Sequence, residues 1–158
     1  MTDDEKFMEA ALLLAEMSGT RDEVPVGAVV VKDEMIIGSG FNNTRAKHDP
    51  TLHAEIAAIR NAALSLQNER LTGCCLYVTK EPCAMCAGAI VHSRISKVII
   101  GTEDIKYGAC GTVLEVCGNS ILNHVPVIVF GVLRERASIL LKKFFQEKRT
   151  QKKLSDQS

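Results

Sequence analysis

The sequence has no apolar run long enough to cross a bilayer, and no basic segment followed by an apolar one at its start. These absences favour a soluble cytoplasmic protein with no membrane partner. Its formal net charge is +0, which argues against a protein that binds nucleic acid mainly through a large positive field. Internal repeats and low-complexity tracts are also missing. The 158 residues therefore predict a single globular domain with its own hydrophobic core.

The charge is unevenly distributed along the chain. From residue 134 to residue 158 there are eight basic and three acidic residues, so this segment carries +5 and the remainder carries −5. Two explanations stay open, namely a solvated helix face and an edge that contacts phosphate groups.

The residues that carry chemistry are His53 and Glu55, followed downstream by Pro82-Cys83-Ala84-Met85-Cys86. One histidine and two thiolates are three ligands for a tetrahedral zinc ion, which keeps its fourth position open for water. Glu55 lies two residues from His53, close enough to exchange protons with that water without being a ligand. This H-x-E … P-C-x-x-C pattern is the known signature of zinc nucleobase deaminases. It predicts hydrolytic deamination, with His53, Cys83 and Cys86 as metal ligands and Glu55 as the catalytic proton carrier.

Six cysteines raise the question of a disulfide framework. Two of them have metal-ligand spacing and no secretion signal is apparent, so a reducing compartment is favoured. The other four are predicted to be small buried hydrophobic residues: Cys74, Cys75, Cys110 and Cys117. A fourth zinc ligand among these four is the alternative, and it would close the metal site.

Hydrophobic periodicity and turn residues predict helices that alternate with strands. Thr2 and Glu5 form a capping box before an amphipathic helix that ends at about Ser18. Further helices are predicted over 53–66, from 83 onward and over 134–148, and strands over 24–31, 35–40, 76–79, 97–101 and 125–131. This order favours an α/β fold, a three-layer α/β/α sandwich with a central mixed five-stranded sheet. Residues 1–150 would form the zinc-dependent deaminase domain and 151–158 a polar C-terminal tail.

Beyond the motif, the chain resembles the bacterial tRNA-specific adenosine deaminases, which have the cytidine deaminase-like fold. The similarity extends from about Met8 to Arg149. It is carried by residues 23–29, 48–56, 76–79, 81–89, 92–95 and 101–109, and by the late pair Phe144-Phe145. The resemblance implies hydrolysis of the wobble adenosine to inosine in a tRNA anticodon stem-loop, by a cytoplasmic homodimer with one Zn²⁺ per subunit.

The resemblance also implies a set of substrate contacts. Asn42 would hydrogen-bond the flipped base, the backbone amide of Ala54 would donate near it, and Asp104 would contact a neighbouring nucleotide. Phe145 would stack against the anticodon loop. From the residues alone, Asn42 could also be a turn residue, Asp104 a loop cap and Phe145 a core aromatic.

Two other functions stay open on the sequence alone. A deaminase of free guanine, cytosine or a nucleoside would share the four motif residues, but it would not need the basic stretch from Lys142 to Lys153. A structural zinc module would need a fourth ligand and would have no use for Glu55. The basic stretch and the match around Asp104 favour a polynucleotide substrate.

Overall fold

The computed structural model describes residues 1–157. Within them the chain forms α1 (Asp3–Thr20), β1 (Gly27–Lys32), β2 (Met35–Phe41), α2 (Ala54–Leu66), β3 (Cys75–Lys80), α3 (Ala84–Ser93), β4 (Lys97–Thr102), β5 (Val127–Phe130) and α4 (Arg134–Asp156). This confirms the predicted order of elements. The capping box is also confirmed, because each side chain of the pair Thr2 and Glu5 accepts a hydrogen bond from the other's backbone amide. Among residues 1–157, no helix combines the length and the hydropathy of a membrane span.

The five strands form one mixed sheet in the order β2-β1-β3-β4-β5. β1 is antiparallel to both β2 and β3, whereas β4 is parallel to β3 and β5 is parallel to β4. β2 and β3 therefore run in the same direction and end at the same edge of the sheet. Since α2 follows β2 and α3 follows β3, the N-termini of both helices lie at this edge.

Helices cover both faces of the sheet. On one face, Met8 of α1 and Ala137 of α4 belong to a buried cluster with Ile99 of β4. On the other face, Ala58 of α2 and Ile90 of α3 belong to a second buried cluster that includes the other side of the same strands. The result is the predicted three-layer α/β/α sandwich.

Two glycines of β2 let α2 approach the sheet closely. A Cβ atom at Gly38 would lie 2.4 Å from the carbonyl oxygen of Ala58, and one at Gly40 would lie 2.5 Å from that of Ala54. Real Cβ atoms essentially never come within 3.0 Å of another atom, so no larger residue fits at either position without a shift of the helix. The glycines thus fix the place of the helix turn that carries Glu55.

The last helix extends further than the apolar periodicity of the sequence predicts. A helix over 134–148 was expected, but α4 continues to Asp156, so the predicted helix end was wrong. The physical reason is that residues 149–156 contain no glycine or proline and are mostly good helix formers, although they lack apolar periodicity. The predicted boundary between the domain and its tail at residue 150 falls inside this exposed part of α4, and it stays a prediction.

Candidate active site

Three metal-binding side chains meet at the N-termini of α2 and α3. His53 is the N-cap of α2, Cys83 is the N-cap of α3, and Cys86 lies one turn further along α3. His53 Nδ1 is 3.6 Å from Cys83 Sγ and 3.5 Å from Cys86 Sγ. The three ligand atoms lie within 4.8 Å of one another, and no other group of His, Cys, Asp or Glu within residues 1–157 comes together in this way.

The donor set and its spacing fit zinc. Bonds of about 2.3 Å to sulfur and about 2.0–2.1 Å to nitrogen, at tetrahedral angles, place a sulfur and a nitrogen ligand about 3.5–3.6 Å apart. The nitrogen–sulfur distances of 3.6 and 3.5 Å already match this separation. One imidazole and two thiolates are also a ligand set that zinc prefers, and three protein ligands are the number found in catalytic zinc sites.

The electrostatics of the three ligands also suit a cation. A hydrogen bond from Cys86 lowers the pKa of the Cys83 thiol to about 3, against the effect of partial burial and with a further contribution from His53. Cys83 is therefore a thiolate at neutral pH. Hydrogen bonding to Cys83 in turn raises the pKa of both His53 and Cys86. His53 and Cys86 thus keep their protons through interactions with the Cys83 thiolate. A metal ion bound between the three side chains would displace those protons.

Glu55 lies in the first turn of α2, and its side chain is only 4% exposed. Burial raises the pKa of its carboxyl, and the negative charge of Cys83 adds to this, against a hydrogen bond from the backbone amide of Glu55 itself. A raised pKa makes the carboxylate a stronger base, so this side chain is suited to take up a proton and release it again. The carboxyl is not part of the metal-binding group, which agrees with a role beside the metal rather than on it.

A cavity of about 170 Å³ opens beside these groups. The side chains that line it include His53, Glu55, Cys83, Asn42, Asp104 and Tyr107. Sites for drug-sized ligands usually measure about 300–1,000 Å³, so this cavity suits a single base rather than a whole nucleotide.

Asn42 follows β2 and lies against the start of α2. Its side-chain oxygen accepts a hydrogen bond of 2.9 Å from the backbone amide of Ala54. This bond fixes the orientation of the carboxamide and leaves its NH₂ group to donate to a ligand in the cavity. Because the amide of Ala54 is already bonded to Asn42, its direct donation to a substrate stays a prediction.

Asp104 lies in the loop after β4, and its side chain is 10% exposed. One carboxylate oxygen accepts hydrogen bonds from the backbone amides of Lys106 and Tyr107, at 2.9 and 3.1 Å, and the other lies 3.0 Å from Lys80 Nζ. Although burial alone would raise the pKa of Asp104, these interactions hold it below its usual value. Asp104 is therefore both a loop cap and a carboxylate that borders the cavity.

A larger groove of about 630 Å³ shares Lys80, Asp104 and Tyr107 with the cavity. Phe145 and Arg149 of α4 line this groove as well. Phe145 is 41% exposed, so it is not a core aromatic. Proteins that bind single-stranded nucleic acids commonly combine an exposed ring with basic side chains, since bases stack on the ring and phosphates pair with the cations.

The other four cysteines lie apart from the metal ligands. Cys74, Cys110 and Cys117 are buried, Cys75 is partly buried, and all four are free thiols. Their burial agrees with the prediction that they are small hydrophobic residues. Within residues 1–157, the metal-binding group contains none of them.

Four residues of the cavity lining were not predicted from the sequence as site residues, namely Val26, directly before β1, and Lys80, Glu81 and Tyr107. Lys80 and Glu81 directly precede Pro82-Cys83, and Tyr107 is close to Asp104 in sequence. Adjacency to predicted site residues was thus an available signal for these last three. It could not show which side chains turn towards the cavity, because that depends on how the strands align at the sheet edge.

Comparison with known proteins identifies close relatives. Residues 1–102 match the family described as the cytidine and deoxycytidylate deaminase zinc-binding region. A tRNA-specific adenosine deaminase of Haemophilus influenzae is 48% identical over 152 residues, which cover 96% of this chain and 88% of that protein. A structure from a study of A-to-I editing by tRNA:A34 deaminases at the wobble position of transfer RNA gives a TM-score of 0.83 at 43% identity, covering 86% of this chain and 99% of the other. A guanine deaminase of Nitrosomonas europaea gives 0.78 at 24% identity, covering 89% and 83% of the two chains, and so shares the fold.

Proposed function

The chain belongs to the family of tRNA-specific adenosine deaminases, with its cytidine and deoxycytidylate deaminase zinc-binding region, and we propose that it converts the wobble adenosine of a tRNA anticodon loop to inosine. The observation that carries this proposal is the buried carboxyl of Glu55 beside the zinc-type donor set, at a cavity of about the size of a base. A structural zinc site would leave that buried carboxyl without a purpose.

His53, Cys83 and Cys86 would hold one zinc ion per subunit. Bound zinc supplies Lewis-acid activation of water for a hydrolytic reaction. The part of the three side chains is to hold the ion at the helix N-termini, where the backbone amide of Cys86 helps to favour the thiolate of Cys83 over the thiol.

Glu55 would move the protons of the reaction. Hydrolytic deamination adds water at carbon 6 of adenine and releases ammonia, so one proton must reach the ring nitrogen and another the departing amine. A buried carboxyl with a raised pKa can take a proton from the attacking water, give it to the ring nitrogen, and then pass the second proton to the departing amine.

Asn42, Ala54, Asp104 and Phe145 would bind the substrate. The NH₂ group of Asn42, oriented by the amide of Ala54, would donate to an acceptor nitrogen of the base. A base cannot react inside a stack, so its neighbours must be held outside the cavity. The groove next to the cavity offers Asp104 for a neighbouring nucleotide and Phe145 for stacking.

We also propose that the enzyme is a homodimer and acts in the cytoplasm on tRNA. The homodimer is supported by the resemblance to the family. Sedimentation equilibrium should give about twice the monomer mass of 17.2 kDa. A monomer mass at micromolar concentrations would contradict the homodimer but leave the reaction unaffected.

The proposed function can be tested with four candidate substrates. The zinc-loaded protein would be incubated with an anticodon stem-loop that carries a wobble adenosine, and separately with free adenosine, guanine and cytosine, while inosine and ammonia are measured. We expect inosine in the stem-loop, and no ammonia from a matched stem-loop with guanosine at the wobble position. Release of ammonia from a free base, with no change in the RNA, would contradict the proposal and indicate nucleobase salvage.

A further inference from the structure

Glu81 is a buried carboxylate that takes no part in the proposed metal binding or proton transfer. It lies between the end of β3 and Pro82, and it is 2% exposed. Among residues 1–157, no lysine, arginine or histidine forms an ion pair with it. A buried carboxylate without a cation needs hydrogen-bond donors to offset its lost hydration.

The donors to Glu81 all come from one loop, residues 103–112. One carboxylate oxygen accepts a hydrogen bond from the backbone amide of Asp104, at 3.1 Å, and another from the hydroxyl of Thr112. The other oxygen accepts from the backbone amides of Cys110 and Thr112, at 3.0 and 3.2 Å. These bonds hold the beginning and the end of the loop, so a single side chain determines its path.

The loop also packs directly against this part of the chain. A Cβ atom at Gly108 would lie 2.4 Å from the Glu81 carboxylate, so only glycine lets the loop approach this closely. The backbone amide of Ala109 donates to the carbonyl oxygen of Pro82 at 2.9 Å. Since Pro82 is followed by Cys83, the loop is attached to the same short segment that supplies a metal ligand.

We propose that Glu81 is a positioning residue for the substrate, which sets the place of Asp104 and Tyr107 relative to Cys83. This proposal rests on the function proposed above, in which Asp104 contacts a nucleotide beside the reacting base. Glu81 borders the cavity, but its donors occupy both oxygens, so it acts through the loop. Misplacement of a binding group by about 1 Å can reduce the rate of a reaction by about 100-fold.

The test is the Glu81→Gln variant, which keeps the shape of the side chain but turns an NH₂ group towards N–H donors. We expect hydrogen exchange at the amides of Asp104, Cys110 and Thr112 to accelerate by about tenfold or more. The KM for the anticodon stem-loop should rise by about 10- to 100-fold, with a smaller change in kcat. The zinc content should equal that of the wild type, because Glu81 is not in the metal-binding group.

Glu23 provides a matched control. It is 1% exposed and accepts hydrogen bonds from the backbone amides of Arg45 and Ala46, at 3.0 and 3.4 Å, in a different loop. Glu23→Gln should therefore accelerate exchange at Arg45 and Ala46 and leave that at Cys110 unchanged. Glu81→Gln should accelerate exchange at Cys110 and leave exchange at Arg45 and Ala46 unchanged.

Substitutions at Thr112 test the same idea if Glu81→Gln does not fold. Thr112→Val removes one donor to Glu81 and should raise the KM by a smaller factor than Glu81→Gln does. Thr112→Ser keeps the hydroxyl, so its KM should equal that of the wild type. Equal KM values for the two variants would overturn the proposal. Unchanged exchange in Glu81→Gln at Asp104, Cys110 and Thr112, or a loss of zinc, would also overturn it. Exchange and zinc content do not depend on turnover, so absence of inosine with the wild type would refute the proposed function and not the positioning role.

Discussion

Gly40 of β2 faces the first turn of α2, the turn that carries Glu55. In a Gly40→Ala variant the new methyl group would lie 2.5 Å from the carbonyl oxygen of Ala54, 2.6 Å from the Cβ of Ala57 and 2.8 Å from the backbone nitrogen of Ala58. Two of these three atoms belong to the helix backbone and cannot rotate away. The substitution therefore forces the whole turn to move.

The size of the effect follows from these contacts. Ordinary van der Waals contact begins at 3.4 Å, so α2 must move away from β2 by about 1 Å. Overpacking of this kind costs about 1–3 kcal/mol, and removal of a strand glycine offsets about 0.5–1 kcal/mol of that cost. We expect a net loss of about 1–2 kcal/mol in the free energy of unfolding. Because the shift carries His53 and Glu55 with it, kcat/KM should fall by about 100-fold.

Urea unfolding and inosine formation measure the two effects separately. Gly88→Ala is the matched control, because nothing lies within 4 Å of a Cβ atom at this position of α3. Loss of a helix glycine there should raise the free energy of unfolding by about 0.5–1 kcal/mol. If Gly40→Ala had the stability and activity of the wild type, close packing of α2 on β2 could not be what positions Glu55.

Three further predictions concern the cap, the metal and the pH dependence. Thr2→Ala removes the side chain that accepts from the amide of Glu5, and it should lower the free energy of unfolding in urea by about 0.5–2 kcal/mol; an unchanged midpoint would contradict this. Cys83→Ala should lose bound zinc and activity, measured by metal analysis and inosine formation, whereas Cys75→Ala should keep both; zinc retained by Cys83→Ala would refute the ligand assignment. The pKa of Asp104 is lower in the folded than in the unfolded state, so its stabilisation is present above the unfolded value and is lost as the pH falls through the folded value. The stability difference between the wild type and Asp104→Asn should therefore shrink below about pH 4, and a growing difference in urea titrations would contradict the argument.

The convergence of His53, Cys83 and Cys86, with Glu55 beside them, could be predicted from the sequence because a zinc site requires fixed residue types at short spacings. Alternation of strands and helices was enough to place His53 and Cys83 at helix N-termini. The loop around Asp104 could not be predicted in the same way. Its path depends on hydrogen bonds that Glu81 accepts from residues 23 to 31 positions away, and no periodic pattern encodes such contacts.

The position of Phe145 shows a second limit of sequence patterns. Successive residues of an α-helix point about 100° apart, since there are about 3.6 residues per turn, so Phe144 and Phe145 cannot face the same neighbour. The sequence showed two adjacent aromatic residues without indicating which one would be the more exposed. Only the packing of α4 on the sheet, with Ala137 buried, leaves Phe145 exposed beside the groove.

In the proposed reaction, a zinc site and the buried carboxyl of Glu55 together perform the deamination. The most direct test compares bound zinc, the circular dichroism spectrum and inosine formation in one preparation each of the wild type and Glu55→Ala. We expect equal zinc and equal spectra, with inosine formation reduced by about 10²- to 10⁴-fold in the variant. Loss of zinc from Glu55→Ala, or inosine formation at the wild-type rate, would contradict the role assigned to Glu55.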